Sequence, residues 1–208
     1  MIAIIDYGVG NLYSVSQALQ RMGYEYTITA DEETIRAADG VILPGVGTFG
    51  DAMLELKRRD LVDVIRDIAL CEGKPLLGIC LGMQLLFTSS DEHGYHQGLH
   101  LLSGHVKRFS GDFNIPHIGW NDLRFHSPHP LLKSVEEGAV YFVHSYHVFP
   151  DNPDDILAVT DYYGDVTAIV GRNQIYGMQF HPEKSGDTGQ RLLENFARLC
   201  CKTEVPIG

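Results

Sequence analysis

A chain of 208 residues, 44% hydrophobic and 21% charged, has the size and balance of one soluble globular domain with a sizeable core. Its formal net charge of -11 opposes binding to phosphate backbones or anionic lipid, so no nucleic-acid or membrane partner is expected. No apolar stretch reaches bilayer-spanning length and the N-terminus enters a strand with no basic region before it, which makes the cytoplasm the expected location.

Ile2-Ala3-Ile4-Ile5 is a continuous apolar run that suits a strand covered on both faces. Asn11 can cap a helix carrying Leu12, Val15, Leu19 and Met22 at helical spacing, and Gly23 ends it. Tyr24 to Thr29 reads as the second strand, Asp31 to Ala37 as a short helix, and Val41-Ile42-Leu43 as a strand running into Pro44-Gly45-Val46-Gly47. Gly50 to Leu56 and Leu61 to Leu70 read as helices, and Gly73 stops the second. This β-α-β alternation predicts an α/β fold of three layers, with a mostly parallel twisted central sheet and right-handed crossovers.

Lys74 to Phe87 then reads as strand, sharp turn and helix. Thr88 to His100 is polar and loop-like, and strands follow at Gly104 to Phe109, Ile118 to Arg124, Ala139 to Val148, Ile156 to Val159, Val166 to Gly171 and Ile175 to Phe180. A closing helix from Thr188 to Cys200 packs Leu192, Leu193, Phe196 and Leu199 onto the fold. With no linker or repeat, residues 1–208 are expected to form a single domain.

The chemistry gathers at Gly78-Ile79-Cys80-Leu81-Gly82, where cysteine occupies the place of serine in a nucleophile elbow. At the first turn of a helix a thiol is favoured as thiolate, although free cysteines are more often buried and inert. A second element, His181-Pro182-Glu183, ends another apolar strand. There His181 could exchange the thiol proton while Glu183 orients the ring. Attack on a carboxamide would put negative charge on its oxygen, and Leu81, next after the cysteine, can offer a backbone N–H to it.

Cysteines 71, 80, 200 and 201 form no Cys-x-x-Cys pair, which fits a reducing compartment. His93, His96 and His100 cluster without acidic or cysteine partners at metal-ligand spacing, so no metal and no cofactor are expected. His144 and His147 lie three apart, so on a continuous strand at most one faces the site. Trp120, the only tryptophan, reads by itself as a core residue, although large aromatics also concentrate at interfaces.

The elbow together with His181-Pro182-Glu183 resembles the Cys-His-Glu triad of class I glutamine amidotransferases. The segments Ile5 to Leu12 and Pro44 to Gly50 resemble more narrowly the glutaminase subunits of imidazole glycerol phosphate synthases, which act in histidine biosynthesis. The resemblance spans nearly the whole chain and implies a class I glutamine amidotransferase-like, flavodoxin-like fold with Cys80, His181 and Glu183 as the catalytic set. It also implies a second oxyanion donor from Gly45, Val46 or Gly47, glutamine held by Gln84, Ser145 and Tyr146, and a β/α-barrel cyclase subunit docking at Asn11, Trp120 and Lys184. Three classes of function remain open on the residues. They are an amidotransferase, including relatives that serve tryptophan, folate or pyridoxal phosphate synthesis; a free-standing cysteine hydrolase; and a non-catalytic interaction module.

Overall fold

The structure, a computed structural model, describes residues 1–201. Its first half alternates as the apolar runs predict: β1 (Ile2–Ile5), α1 (Leu12–Arg21), β2 (Tyr26–Thr29), α2 (Glu32–Ala37), β3 (Gly40–Gly45), α3 (Phe49–Arg58), α4 (Leu61–Leu70), β4 (Leu76–Cys80) and α5 (Leu81–Leu85). Asn11, Asp31 and Thr48 cap α1, α2 and α3 by accepting from the N–H groups of Ser14, Thr34 and Asp51. Each such cap answers one of the unpaired donors of the first turn and contributes about 0.5–2 kcal/mol.

The second half is strand-rich, with β5 (Ser89–Ser90), β6 (His96–Gln97), β7 (Gly104–Arg108), β8 (His117–Phe125), β9 (Ala139–His144), β10 (Tyr146–Pro150), β11 (Ile156–Asp161), β12 (Asp165–Arg172) and β13 (Ile175–Met178), closed by α6 (Gly186–Cys200). Nine strands form one sheet in the order β2-β1-β3-β4-β13-β12-β11-β8-β9, and β10-β7-β5-β6 form a second. The pairings from β2 through to β13 are parallel, and from β13 outward to β9 they are antiparallel. Because β1, β3, β4 and β13 are buried along their whole length, alternate residues feed two cores. Ala3 and Ile5 join Phe49, Leu56 and Ile65 on one face; Ile2 and Ile4 join Leu19, Leu192 and Phe196 on the other.

Three expectations change. Ala139 to Val148 is not one strand but two, lying in different sheets on either side of Ser145. The His144 ring turns back there, its Nδ1 2.8 Å from the Tyr146 carbonyl, so β9 stays with β8 while β10 crosses to β7. Thr88 to His100 is not only loop, since β5 and β6 pair within it and β5 joins β7. The buried hydroxyls of β5 are answered by polar partners, Ser89 Oγ lying 2.7 Å from His105 Nδ1 and Ser90 Oγ accepting from the Glu92 N–H at 3.2 Å. The elbow helix stops at Leu85 instead of continuing to Phe87, because the N–H groups of Leu86 and Phe87 bond three residues back, to Met83 and Gln84.

Phe196 is fully buried beneath the sheet, edge-on to Tyr176. Phe196→Ala is expected to cost about 3–5 kcal/mol of stability in urea unfolding, the range for deleting a core phenylalanine, with the denaturant slope unchanged.

Candidate active site

Register places the site. In β4, Ile79 lies beside Met178 of β13 on one side, and Cys80 lies beside Gly45 of β3 on the other. Three parallel strands therefore end together, and the chain continuing from each reaches the same edge of the sheet. This is where open α/β sheets form their crevices.

Cys80 ends β4 with φ 55 and ψ -113, a backbone conformation that costs a side-chain-bearing residue about 1–3 kcal/mol. It is held there by close packing of backbones. A Cβ on Gly78 would strike the Gly82 carbonyl, one on Gly82 would enter the Leu43 carbonyl, and one on Gly45 would stand 2.8 Å from both the Gly82 nitrogen and the Tyr7 hydroxyl. The Tyr7 hydroxyl in turn donates to the Pro44 carbonyl at 2.8 Å. The two elbow glycines are thus needed for strand-to-helix contact, and neither has a positive φ.

His181 follows β13 at the start of a 3₁₀ turn, Pro182–Lys184. Its N–H bonds the Tyr141 carbonyl at 3.1 Å, and its own carbonyl accepts from Ser185 Oγ at 2.6 Å, while that oxygen accepts from the Tyr141 N–H at 2.9 Å. The His181 backbone is thereby tied to β9. Its Nδ1 lies 2.9 Å from Glu183 Oε1, and the two side chains are 5% and 0% exposed. Glu183 Oε2 has no hydrogen-bond partner among the described residues. Burial opposes charge on His181, but the hydrogen bonds and negative charges of Cys80 and Glu183 outweigh it and raise the ring to about 10. Buried Gln179 also contacts the cysteine, with Nε2 3.9 Å from Sγ.

A cavity of about 380 Å³ opens over these groups. Val46, Gly47, Leu81, Gln84, Ser145 and Tyr146, all expected from the sequence, line it with Cys80 and His181. Gly45 does not line it; it is buried behind, against Gly82. Gln84 Nε2 spans the floor, donating to the Tyr146 carbonyl at 2.9 Å and to Gln179 Oε1 at 3.1 Å. Glu92, Pro116 and Val143 also line the cavity and were missed by sequence reasoning, and of His144 and His147, of which at most one was expected to face the site, His144 lines it. Glu92 is the one carboxylate in the lining; its Oε2 accepts from the Phe49 N–H at 2.7 Å, so it clamps the end of the glycine-rich loop at the start of α3. No local pattern marks Glu92, whereas Gln179, a polar residue within Met178-Gln179-Phe180, carries a signal that could have been read. A larger hollow of about 650 Å³, bounded by Phe125 to Lys133, contains none of these groups.

Of the expected docking residues, Asn11 is half-buried and capping α1, Lys184 is exposed, and Trp120 is 57% exposed on β8, so it is no core residue. The Trp120 ring lies 5.9 Å from that of Tyr141, the residue whose backbone anchors His181 and Ser185. Among the clustered histidines, His96 lies on β6 against Gly50 and His100 bonds the Thr88 hydroxyl. Among the described residues no group of three histidine, cysteine or acidic side chains could hold a metal ion.

Residues 3–200 match the family described as glutamine amidotransferase class-I. The chain is 55% identical over 205 residues, covering 96% of itself and 97% of the relative, to imidazole glycerol phosphate synthase subunit HisH of Geobacillus kaustophilus. It is 46% identical over 211 residues, 99% of each chain, to the subunit of the same name from Bacillus subtilis. A solved structure of a glutamine amidotransferase superposes with a TM-score of 0.75 at 20% identity, over 97% of this chain and 100% of that one, and supports the fold alone.

The raised His181 gives a stability test. A histidine lifted from 6.5 to about 10 contributes stability that is complete below the lower value and is lost as pH rises through the upper one. The stability difference between the native chain and His181→Asn is therefore expected to be largest at acid pH and to shrink toward alkaline pH, as read by urea midpoints across that range. A difference independent of pH would show that His181 is not charged in this pocket.

Proposed function

The chain belongs to the class I glutamine amidotransferase family, and we propose that it is the glutaminase subunit of an imidazole glycerol phosphate synthase, hydrolysing glutamine to glutamate and ammonia. The observation that carries the reading is the strained Cys80 in contact with a buried His181–Glu183 pair at the floor of a cavity of about 380 Å³, roomy enough for an amino acid. Extensive identity to the HisH subunits supports the choice of pathway.

In this reading Cys80 Sγ attacks the side-chain amide carbon of glutamine. His181, kept protonated by Cys80 and Glu183, already carries the proton given up by the thiol and passes it to the departing nitrogen, so the amide group leaves as ammonia. Glu183 keeps the imidazolium oriented without taking its proton. The Leu81 N–H and the Gly45–Gly47 loop receive the oxyanion, where each donor removed typically costs about 3–4 kcal/mol of barrier. Water, losing a proton to His181, then cleaves the γ-glutamyl thioester, and glutamate departs as the Cys80–His181 pair is restored with the proton on the ring. Glu92, Gln84 and the Ser145–Tyr146 turn provide charge and hydrogen bonds for the ammonium and carboxylate of the substrate. No cofactor is used.

Ammonia set free in neutral water becomes protonated and loses its nucleophilicity, so a direct passage to an acceptor site is favoured. The mouth of the cavity carries apolar surface for such a partner: Ile118, Trp120 and Val143 are 59%, 57% and 37% exposed, and Val143 lines the cavity itself. We place the cyclase subunit, a β/α barrel, on this face with Asn11 and Lys184, where it receives ammonia to make imidazole glycerol phosphate and AICAR from PRFAR. Residues 1–208 would form one amidotransferase domain. Four free cysteines, and the lack among the described residues of any helix long and apolar enough to cross a membrane, fit a cytoplasmic setting.

Cys80→Ala in the complex is expected to abolish glutamine-dependent synthesis while synthesis from ammonium salts persists; normal glutamine hydrolysis by the variant would refute the nucleophile. His181→Asn should lower turnover by about 10²–10⁴-fold, the usual worth of a general acid–base, and Glu183→Gln by less. Negligible loss in both would remove the triad from the mechanism.

Docking is expected to switch the isolated chain from a poor to an efficient glutaminase, through a peptide in the Gly45–Gly47 loop that turns its N–H to the site. Glutamate release and Trp120 fluorescence, followed while adding the cyclase subunit with its ribonucleotide substrate, test this. Full activity without the partner would refute the switch, and unchanged emission would move the interface away from Trp120.

A further inference from the structure

Behind the Ser145–Tyr146 turn, two histidines join the cavity to the outer strands. His144 Nδ1 lies 2.8 Å from the Tyr146 carbonyl, and His144 Nε2 lies 3.1 Å from His117 Nδ1. His117 Nε2 then lies 2.8 Å from Asn121 Oδ1, whose amide nitrogen donates to the Asp161 carbonyl at 3.0 Å. On the other side, the same Tyr146 carbonyl accepts from Gln84, which contacts Gln179, which contacts Cys80. A continuous polar chain thus runs from the nucleophile through Tyr146 to β8 and β11.

The two rings make three contacts, and both ends of the pair are oxygens that only accept. Three hydrogen bonds need three ring protons, but two neutral imidazoles carry two. Moving a proton between nitrogens shifts the unbonded contact without removing it, and turning the Asn121 amide sets its oxygen against the Asp161 carbonyl instead. One additional proton completes every bond.

The surroundings say which ring carries it. His117 is sandwiched between aromatic faces, Tyr162 at 3.8 Å and 16° and Phe142 at 4.8 Å and 18°, which favours a cation there. The Tyr162 hydroxyl donates to the Asn114 carbonyl, and the Asp161 carboxylate accepts from the Gly164 N–H. His144 instead faces the positive charges that His181 and His147 can carry. Burial opposes charge on both rings, so the extra proton is lost as pH rises.

We propose that His117 is a positioning residue for substrate binding: as an imidazolium it donates to His144 and Asn121, fixes the His144 N–H on the Tyr146 carbonyl, and so sets the Ser145–Tyr146 turn. This role rests on the glutaminase reading; the protonation state does not. On the acid side of the pair's titration the chain is complete and the turn is held, and on the alkaline side one link opens and the turn loosens. The pair also joins the cavity to β8, the strand that carries Ile118 and Trp120.

The test uses the complete chain with ¹⁵N-labelled histidine, in complex with the cyclase subunit for the kinetics, reading ring nitrogen shifts from about pH 5 to 8, the range in which histidine titrates. His117 is expected to be protonated on both nitrogens wherever KM for glutamine is low, and KM is expected to rise as the proton is lost. His117→Phe keeps the stacking and removes both donors; KM should rise about tenfold, the worth of one net hydrogen bond, with kcat little changed and the pH dependence of KM flattened. His117→Asn, whose amide nitrogen can replace Nδ1 toward His144, should restore most of the binding. A neutral His117 throughout, or an unchanged KM and pH profile in a folded His117→Phe chain, would overturn the proposal. The nitrogen shifts come from the native chain, so they decide even where a variant fails to fold. A neutral pair in an active enzyme would refute the pair alone, and a doubly protonated His117 in a chain that releases no glutamate even with the cyclase subunit and its ribonucleotide substrate present would refute the glutaminase reading alone.

Discussion

The parallel pairing of β4 with β3 on one side and β13 on the other is the constraint on which the site depends. It sets Cys80 beside Gly45 and aligns the strand leading to His181 with the strand leading to Cys80. A slip of one residue would turn every side chain to the opposite face, and since β3, β4 and β13 are buried on both faces such a slip is strongly penalised. Catalytic geometry is thereby fixed by the same packing that fixes the fold.

That packing also sustains the strain at Cys80. The left-handed backbone costs about 1–3 kcal/mol, while burial of an apolar side chain such as Leu77 or Ile79 in the same strand contributes about 1.5–3 kcal/mol. Backbone contact at Gly45, Gly78 and Gly82 leaves the elbow no room to relax. His181 depends on a different balance: it is buried enough that losing its partners would drive off the proton, yet Cys80 and Glu183 together hold the proton well above the ordinary histidine range.

Legibility from sequence followed the range of the interaction concerned. The helices capped by Asn11, Asp31 and Thr48 and the elbow at Cys80 are written in residues a few positions apart, and could be read. His181-Pro182-Glu183 carries its hydrogen bond within three residues, so the pair could be read, though its approach to Cys80 across β13 and β4 could not. The break at Ser145 went unseen because strand-favouring residues lie on both sides of it with no glycine or proline to mark a turn; only the competing sheets and the His144–Tyr146 bond divide the strand. Glu92 and the His117–His144 pair were hidden for a similar reason, being brought to the site by β5–β7 and β8–β9 pairings between residues distant in sequence.

The central claim is that the strained cysteine becomes acylated by glutamine. Rapid acid quenching of the chain turning over glutamine with its partner, followed by peptide mass analysis, addresses it most directly. The account predicts a γ-glutamyl group on the peptide carrying Cys80 and on no other cysteine peptide. Glutamate release with Cys80 unmodified at every quench time, or an adduct at Cys71, Cys200 or Cys201, would contradict it.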